Sequence, residues 1–184
     1  ALGLIQDIDK VTGSGFTAEN DFVFLLGSDK FDDDFSNLAG SEFLEVVHEM
    51  VEGQPSIDLE VEYKLQVLCR DLISQGLLKS AHDISEGGLL SAIAESCIIG
   101  DIGFKMIKCT HGRWDVAYYG EKQSQIVISI SPANKTETIS IIEDSSIPFM
   151  ELGIVGGKTL DLGDDESILV KTLSDYWYGS IPAN

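Results

Sequence analysis

The chain has 184 residues, 43% of them hydrophobic, which is enough to bury the core of one domain. Its 12 basic and 31 acidic residues give a formal net charge of −19, which repels nucleic-acid phosphates and anionic membranes. No apolar stretch reaches the length of a membrane span, and the three cysteines lack the spacing of a disulfide framework, a zinc site or a redox motif. We therefore expect an acidic, cytoplasmic domain with neither nucleic acid nor a membrane as partner.

The first elements along the chain indicate a tail followed by a domain. Residues 1–19 contain two apolar runs broken by glycines and are predicted to be a linker from an upstream subdomain, so that the domain covers 20–184. Residues 21–27 form a compact apolar run that predicts a buried strand. Residues 41–50 predict a helix whose shared apolar face is Phe43, Leu44, Val47 and Met50.

The clearest helix is predicted over 58–75, where Asp58 caps the start and Gly76 ends it. Its expected inward stripe is Leu59, Tyr63, Val67, Leu68 and Leu72. A short strand over 77–81 and a second helix over 87–99 follow. The inward face expected for this second helix is Leu89, Leu90, Ile93, Ala94 and Cys97.

The remaining elements are mostly strands. Alternation predicts strands over 104–109 and 125–131. A capped amphipathic pattern predicts a helix over 135–144, and apolar residues at helical spacing predict a helix over 172–179. Residues 148–155 and 158–162 are predicted to form a closing pair of strands around Gly156-Gly157. Because the elements lack a regular strand–helix–strand alternation, the predicted class is α+β, with a sheet packed on one side against helices on the other in a sandwich.

The strand–loop–helix over 77–99 carries the most chemistry. Its turn combines His82, Asp83, Ser85, Glu86, Gly87 and Gly88. Free N–H groups at a helix start attract anions, two glycines let a phosphate approach the backbone, and the Ser85 hydroxyl adds a donor. These six residues are the predicted phosphate- or nucleotide-binding site.

Structural roles for the same residues stay open. Ser85 or Asp83 caps the helix in this interpretation, and the glycines serve a tight turn. His82 either bonds a phosphate or bonds backbone at the strand end, and Glu86 either helps to hold a metal or is solvated. No catalytic residue and no metal ligand is predicted in the chain.

Three patterns are misleading. Residues 153–159 resemble a Walker A motif but are one residue short and precede a strand pattern, so that a strand–turn–strand is expected. The acidic runs 32–34 and 164–166 lack the ligand spacing of an EF-hand. His48 and His111 have no partner at metal-ligand spacing.

Five segments together resemble the phosphoribosylformylglycinamidine synthase family. The strongest is Ser80-Ala-His-Asp-Ile-Ser-Glu-Gly-Gly-Leu89, which is similar to a signature of the second half of that enzyme. The others are Gly3-Leu-Ile-Gln-Asp-Ile-Asp-Lys-Val11, Leu38-Ala-Gly-Ser-Glu-Phe-Leu44, Gly120-Glu-Lys-Gln-Ser-Gln-Ile-Val127 and Gly153-Ile-Val-Gly-Gly-Lys158. Gln125 stands where the family usually has arginine.

The resemblance implies a C-terminal subdomain of the synthetase portion, with the fold of the aminoimidazole ribonucleotide synthetase superfamily. The whole enzyme is an ATP- and magnesium-dependent C–N ligase that converts formylglycinamide ribonucleotide to the amidine. A glutaminase subunit or domain supplies its ammonia. The implied partners of this chain are that glutaminase, an upstream ATP-binding subdomain, and a second such unit in a dimer or pseudo-dimer.

The family's catalytic histidine and magnesium ligands lie in the upstream subdomain, so this chain is expected to be inactive alone. Two alternatives remain. The chain is a C-terminal domain of another superfamily member, such as thiamine-monophosphate kinase or a hydrogenase-maturation protein, or it is a non-catalytic scaffold.

Overall fold

The computed structural model describes residues 4–5, 7–31, 33–107, 113–163 and 166–180. Its strands are β1 Phe22–Leu26, β2 Leu78–Asp83, β3 Phe104–Met106, β4 Ile126–Ile130, β5 Phe149–Val155, β6 Thr159–Gly163 and β7 Glu166–Leu169. Its helices are α1 Glu42–His48, α2 Leu59–Ser74, α3 Gly88–Gly100, α4 Trp114–Tyr119, α5 Lys135–Ser145 and α6 Val170–Gly179. Two short 3₁₀ helices cover Ile8–Lys10 and Phe35–Leu38. Apart from α4 and β7, which the sequence did not reveal, the predicted helices and strands are confirmed. The strand predicted over 104–109 ends at Met106, and residues 108 and 109 lie outside the described residues.

The strands form one mixed sheet in the order β2-β4-β1-β5-β3-β6-β7. Neighbours are antiparallel except β3 and β6, which are parallel. The prediction that β5 and β6 pair with each other is wrong, because β3 lies between them and Phe104 faces Val155 on one side and Leu160 on the other. The Gly156-Gly157 turn therefore passes over the end of β3.

Helices cover both faces of this sheet. On β1, Val23 and Leu25 enter one core, while Phe24 and Leu26 enter the other. The first core is filled from α3, α4 and α6, and the second from α2 and α5. The α+β class is confirmed, but the one-sided arrangement is corrected. Four consecutive buried apolar side chains on β1 require an apolar cover on each face.

Helix α2 begins as predicted but turns a different face inward. The Asp58 carboxylate accepts from the amides of Glu60 and Val61 at 2.9 and 3.2 Å, as an N-cap does. Leu59 and Tyr63, expected inside, are 73% and 67% exposed. The buried residues of α2 are Leu65, Leu68, Cys69 and Leu72. The predicted and the observed inward faces of α2 share Leu68 and Leu72. The misplaced residues, Leu59 and Tyr63, belong to the first half of the helix.

Part of the predicted linker packs on the domain. Phe16 is 2% exposed, and its amide donates to the Ser96 carbonyl, while the Gly13 carbonyl accepts from the Ala81 amide. The boundary at residue 19 stays a prediction, but packing against the domain extends back to residue 13. Among the described residues, none of the helices combines the length and apolar character needed to cross a bilayer.

Cys69 and Cys97 are small core residues, as expected. Both are free thiols and buried, and burial raises the pKa of Cys97 to about 12. A thiol with so high a pKa carries almost no thiolate at neutral pH and is a poor nucleophile. Cys109 lies outside the described residues.

Two leucines of α2 test the corrected face of that helix. Leu72→Ala removes a side chain that is fully buried and should lower the free energy of unfolding by about 2–5 kcal/mol. Leu59→Ala changes an exposed leucine at the start of the same helix and should stay within about 0.5 kcal/mol. Urea denaturation followed by circular dichroism measures both. Equal losses would contradict the observed burial.

Asp21 immediately precedes β1 and is 2% exposed, with its Oδ2 atom lacking a hydrogen-bond partner. Desolvation raises the pKa of this carboxyl above 3.8, although the Lys79 charge and a hydrogen bond from Thr17 act in the opposite direction. Between 3.8 and the raised pKa the folded chain binds more protons than the unfolded chain. Its stability therefore falls as the pH rises through that window.

Asp21→Asn removes this ionisation and should increase the free energy of unfolding at pH 7. The increase should shrink as the pH falls through the raised pKa toward 3.8, because the wild-type carboxyl is then neutral. Urea unfolding at pH 7 and pH 4 measures the difference, with the exposed Asp29→Asn as the matched control. A gain that is the same at both pH values would show that desolvation of Asp21 is not its cause.

Candidate functional site

The predicted turn joins β2 to α3. Gly87 and Gly88 have positive φ values of 79° and 72°, a conformation that favours glycine. The Gly88 amide donates to the Ser85 carbonyl at 3.0 Å, which closes the turn. No side chain caps the start of α3, so the expected cap by Ser85 or Asp83 is not what the structure shows. Ser85 and Glu86 are both exposed.

Gly88 also allows a close approach between two helices. A Cβ atom at this position would lie 2.7 Å from the Tyr119 carbonyl carbon and 2.8 Å from the Tyr118 carbonyl oxygen. Both atoms are backbone at the end of α4, so they cannot move aside as a flexible side chain would. The second glycine therefore serves the contact between α3 and α4 as well as the turn.

The backbone amide that could donate to a bound anion at this turn already has an acceptor. The Gly87 amide donates to Glu121 Oε1 at 2.8 Å, and the Glu42 amide at the start of α1 donates to the same oxygen at 2.9 Å. A carboxylate at a helix start is favourable because it meets unpaired N–H groups and the positive end of the helix dipole. Glu121 therefore occupies, from within the chain, the position predicted for a phosphate oxygen at Gly87.

His82 faces helix α3. Its Nε2 atom is 3.0 Å from Glu95 Oε2 and its Nδ1 atom is 2.8 Å from the Asp83 carbonyl oxygen, while the imidazole side chain is 11% exposed. Both ring nitrogens are thus engaged, which favours the structural interpretation of His82. The Asp83 side chain is 78% exposed.

Arg113, a basic residue near this region, is engaged elsewhere. Arg113 pairs with Asp115 and lies over the Phe35 ring, with its guanidinium carbon 4.0 Å from the ring centroid. The hydrogen bond from Arg113 holds the pKa of Asp115 below its usual range. Beside Glu121 lies a cavity of about 300 Å³ with a mixed polar and apolar wall that includes Asn37, Asp58 and Lys122.

The Walker-like pattern resolves as the expected strand–turn–strand. Residues 153–159 run from β5 through the Gly156-Gly157 turn into β6, so no P-loop helix follows. His48 packs edge-on against Phe43, with ring centroids 5.5 Å apart. Within the described ranges, no cluster of three or more His, Cys, Asp or Glu side chains could hold a metal ion. His111, Asp32, Asp164 and Asp165 lie outside those ranges.

Comparison with protein families identifies the domain. Residues 18–163 match the family described as AIR synthase related protein, C-terminal domain. The chain belongs to this family. The predicted fold of the aminoimidazole ribonucleotide synthetase superfamily is confirmed, and the match falls almost wholly within the predicted domain.

The chain is similar to a subunit of phosphoribosylformylglycinamidine synthase. The phosphoribosylformylglycinamidine synthase subunit PurL of Caldanaerobacter subterraneus subsp. tengcongensis is 37% identical over 97% of this chain and 24% of its own length. The chain thus spans about a quarter of such relatives.

Solved structures share the fold. Thermotoga maritima PurL in complex with FGAR has a TM-score of 0.70 at 18% identity, covering 91% of this chain and 30% of that one. The same PurL has been solved with ATP and as PurLQS. Escherichia coli HypE, a hydrogenase maturation protein, has a TM-score of 0.56 at 13% identity, covering 86% of this chain and 52% of that one.

Gly88 and Gly76 provide a matched pair that tests the contact between α3 and α4. Both have φ near 70°, but a Cβ at Gly76 meets nothing within 4 Å. Alanine at either position bears the left-handed strain, and Gly88→Ala should lose about 1–3 kcal/mol more through overpacking against α4. Urea denaturation measures both losses. Similar values would show that α4 yields to the added methyl group.

Proposed function

We propose that this chain is the C-terminal subdomain of the synthetase portion of phosphoribosylformylglycinamidine synthase. In the whole enzyme it contributes to ATP-dependent C–N ligation, the conversion of formylglycinamide ribonucleotide to its amidine in cytoplasmic purine biosynthesis. The observation that carries the proposal is the 37% identity to a PurL subunit across 97% of the chain. The similarity to HypE shows only that the fold also occurs in a protein of another name.

The chain alone is proposed to be inactive. The Gly87 amide is engaged by Glu121, so a nucleotide phosphate would have to displace that carboxylate from the turn. We assign ATP and magnesium to the whole enzyme, and the ATP complex of the Thermotoga relative supports the nucleotide. The proposed partners are an ATP-binding subdomain, a glutaminase and a second unit in a dimer or pseudo-dimer, and the PurLQS assembly of that relative supports a multi-subunit setting.

Phosphate or nucleotide binding by His82, Asp83, Ser85, Glu86, Gly87 and Gly88 stays a proposal. It is supported by the two left-handed glycines and by the observation that the turn accepts one anion, the Glu121 carboxylate. The same carboxylate favours the second candidate, a scaffold that binds no ligand there. The two differ in whether an external anion reaches the Gly87 amide.

A domain exchange tests the enzyme assignment. The matching quarter of Caldanaerobacter PurL is replaced by this chain, and ATP- and ammonia-dependent amidine formation is measured. We expect the chimera to retain activity because the two sequences align over 97% of this chain. The chain alone should show none.

Intact PurL and PurL lacking that quarter serve as positive and negative controls. A second chimera that carries Leu59→Ala should match the first, because Leu59 is exposed and outside the core. A chimera that folds, as judged by a cooperative melting transition, yet has no more activity than the deletion would refute the assignment.

A further inference from the structure

One carboxylate oxygen joins two helix starts that are far apart in sequence. Glu121 Oε1 accepts from the Glu42 amide of α1 and from the Gly87 amide before α3, at sequence separations of 79 and 34 residues. Amides in the first turn of a helix have no partner within that helix. Both helices therefore depend on the same atom for one of their unpaired donors.

Neither helix has a local substitute for this acceptor. The start of α3 has no side-chain cap, and the Ser41 hydroxyl at the start of α1 accepts from a different amide, that of Leu44, at 3.4 Å. A loss of the Glu121 carboxylate would thus leave both the Glu42 and Gly87 amides without their acceptor.

The backbone of Glu121 is fixed, so the side chain cannot follow one helix away from the other. The Glu121 amide donates to the Asn37 carbonyl at 2.8 Å, and the preceding Gly120 amide donates to the Val116 carbonyl at 3.0 Å. Gly120 is itself closely packed, because a Cβ there would lie 2.4 Å from the Val116 oxygen. Because both amides bind the same oxygen, a side-chain movement that withdraws this oxygen from Gly87 also changes its distance from Glu42.

Helix α1 is the less firmly held of the two. None of its residues is buried, and Val46 and Val47 are 75% and 56% exposed. Its main attachment is Phe43, whose ring stacks on Tyr119 with centroids 5.0 Å apart. Elements with few buried apolar contacts open at low free energy, so α1 is the element that loss of a capping bond would affect most.

We propose that Glu121 couples the start of α3 to α1, so that an anion that takes over the Gly87 amide also releases the Glu42 amide and loosens α1. This regulation of the turn rests on the phosphate site proposed above, whereas the coupling itself does not. Because coupling between two sites is reciprocal, an anion should bind the Gly87 amide more tightly when α1 is already loosened.

Glu121→Ala tests the coupling without any ligand. By NMR of the full chain, the amide protons of Glu42 and Gly87 should both shift upfield and both exchange with solvent about tenfold faster or more, as expected for loss of a bond to a charged acceptor. A response at Gly87 without one at Glu42 would overturn the proposal. So would no response at either amide.

Two further variants separate this bond from loss of charge or of folding. Glu121→Gln keeps an oxygen acceptor and should retain part of the protection at both amides. Glu137→Ala removes one negative charge from an exposed site on α5, on the opposite face of the sheet, and should change neither amide. If Glu137→Ala reproduced the effect of Glu121→Ala, the cause would be net charge and the proposal would fail.

Titration of the wild-type chain with inorganic phosphate distinguishes the coupling from the proposed anion site. If the anion site and the coupling are both correct, the NMR signals of the Gly87 and Glu42 amides should shift together on addition of phosphate. Glu121→Ala should then bind phosphate more tightly, because the competing carboxylate is gone. A phosphate shift at Gly87 alone keeps the anion site and overturns the coupling. No phosphate response in either protein overturns the anion site, and the Glu121→Ala result still decides the coupling.

Discussion

The candidate site depends on how closely the first turn of α3 approaches the end of α4. Gly88 rests against the backbone of Tyr118 and Tyr119, where any side chain would collide with main-chain atoms. This contact brings the residue two positions beyond α4, Glu121, within hydrogen-bond distance of Gly87. Two segments that stand apart in the sequence, Ser80–Leu89 and Gly120–Val127, are thus the two halves of one junction.

Much of the fold could be predicted because local patterns dictate it. The apolar run before Gly27 became β1, and Asp58 caps α2 as its position suggested. The errors arise where tertiary packing decides. The first half of α2 turns Leu59 outward, since burial begins only at Leu65 where the helix reaches the sheet. The insertion of β3 between β5 and β6 involves partners about 50 residues apart, for which no local signal exists.

The site was predicted in outline but not in its chemistry. Their residue type allows the positive φ of Gly87 and Gly88, and the turn lies between a strand and a helix as expected. The partners of its polar groups could not be predicted. Glu95 reaches His82 from 13 residues away, and Glu121 belongs to a segment that was recognised only as a strand entry. In an acidic chain, an anion-accepting turn is readily filled by one of the chain's own carboxylates.

The alternation of β1 between two cores makes the pairing register of this strand critical. Val23 and Leu25 serve one core and Phe24 and Leu26 the other, so a slip by one residue would exchange both sets at once. Phenylalanine would then enter space shaped for aliphatic side chains, and both helical layers would misfit together. The register shift between Val23 and Phe24 against β5 marks a bulge that a slipped strand could not reproduce. A misregistered chain would thus lose both hydrophobic cores, which should confine this domain to a single native alignment.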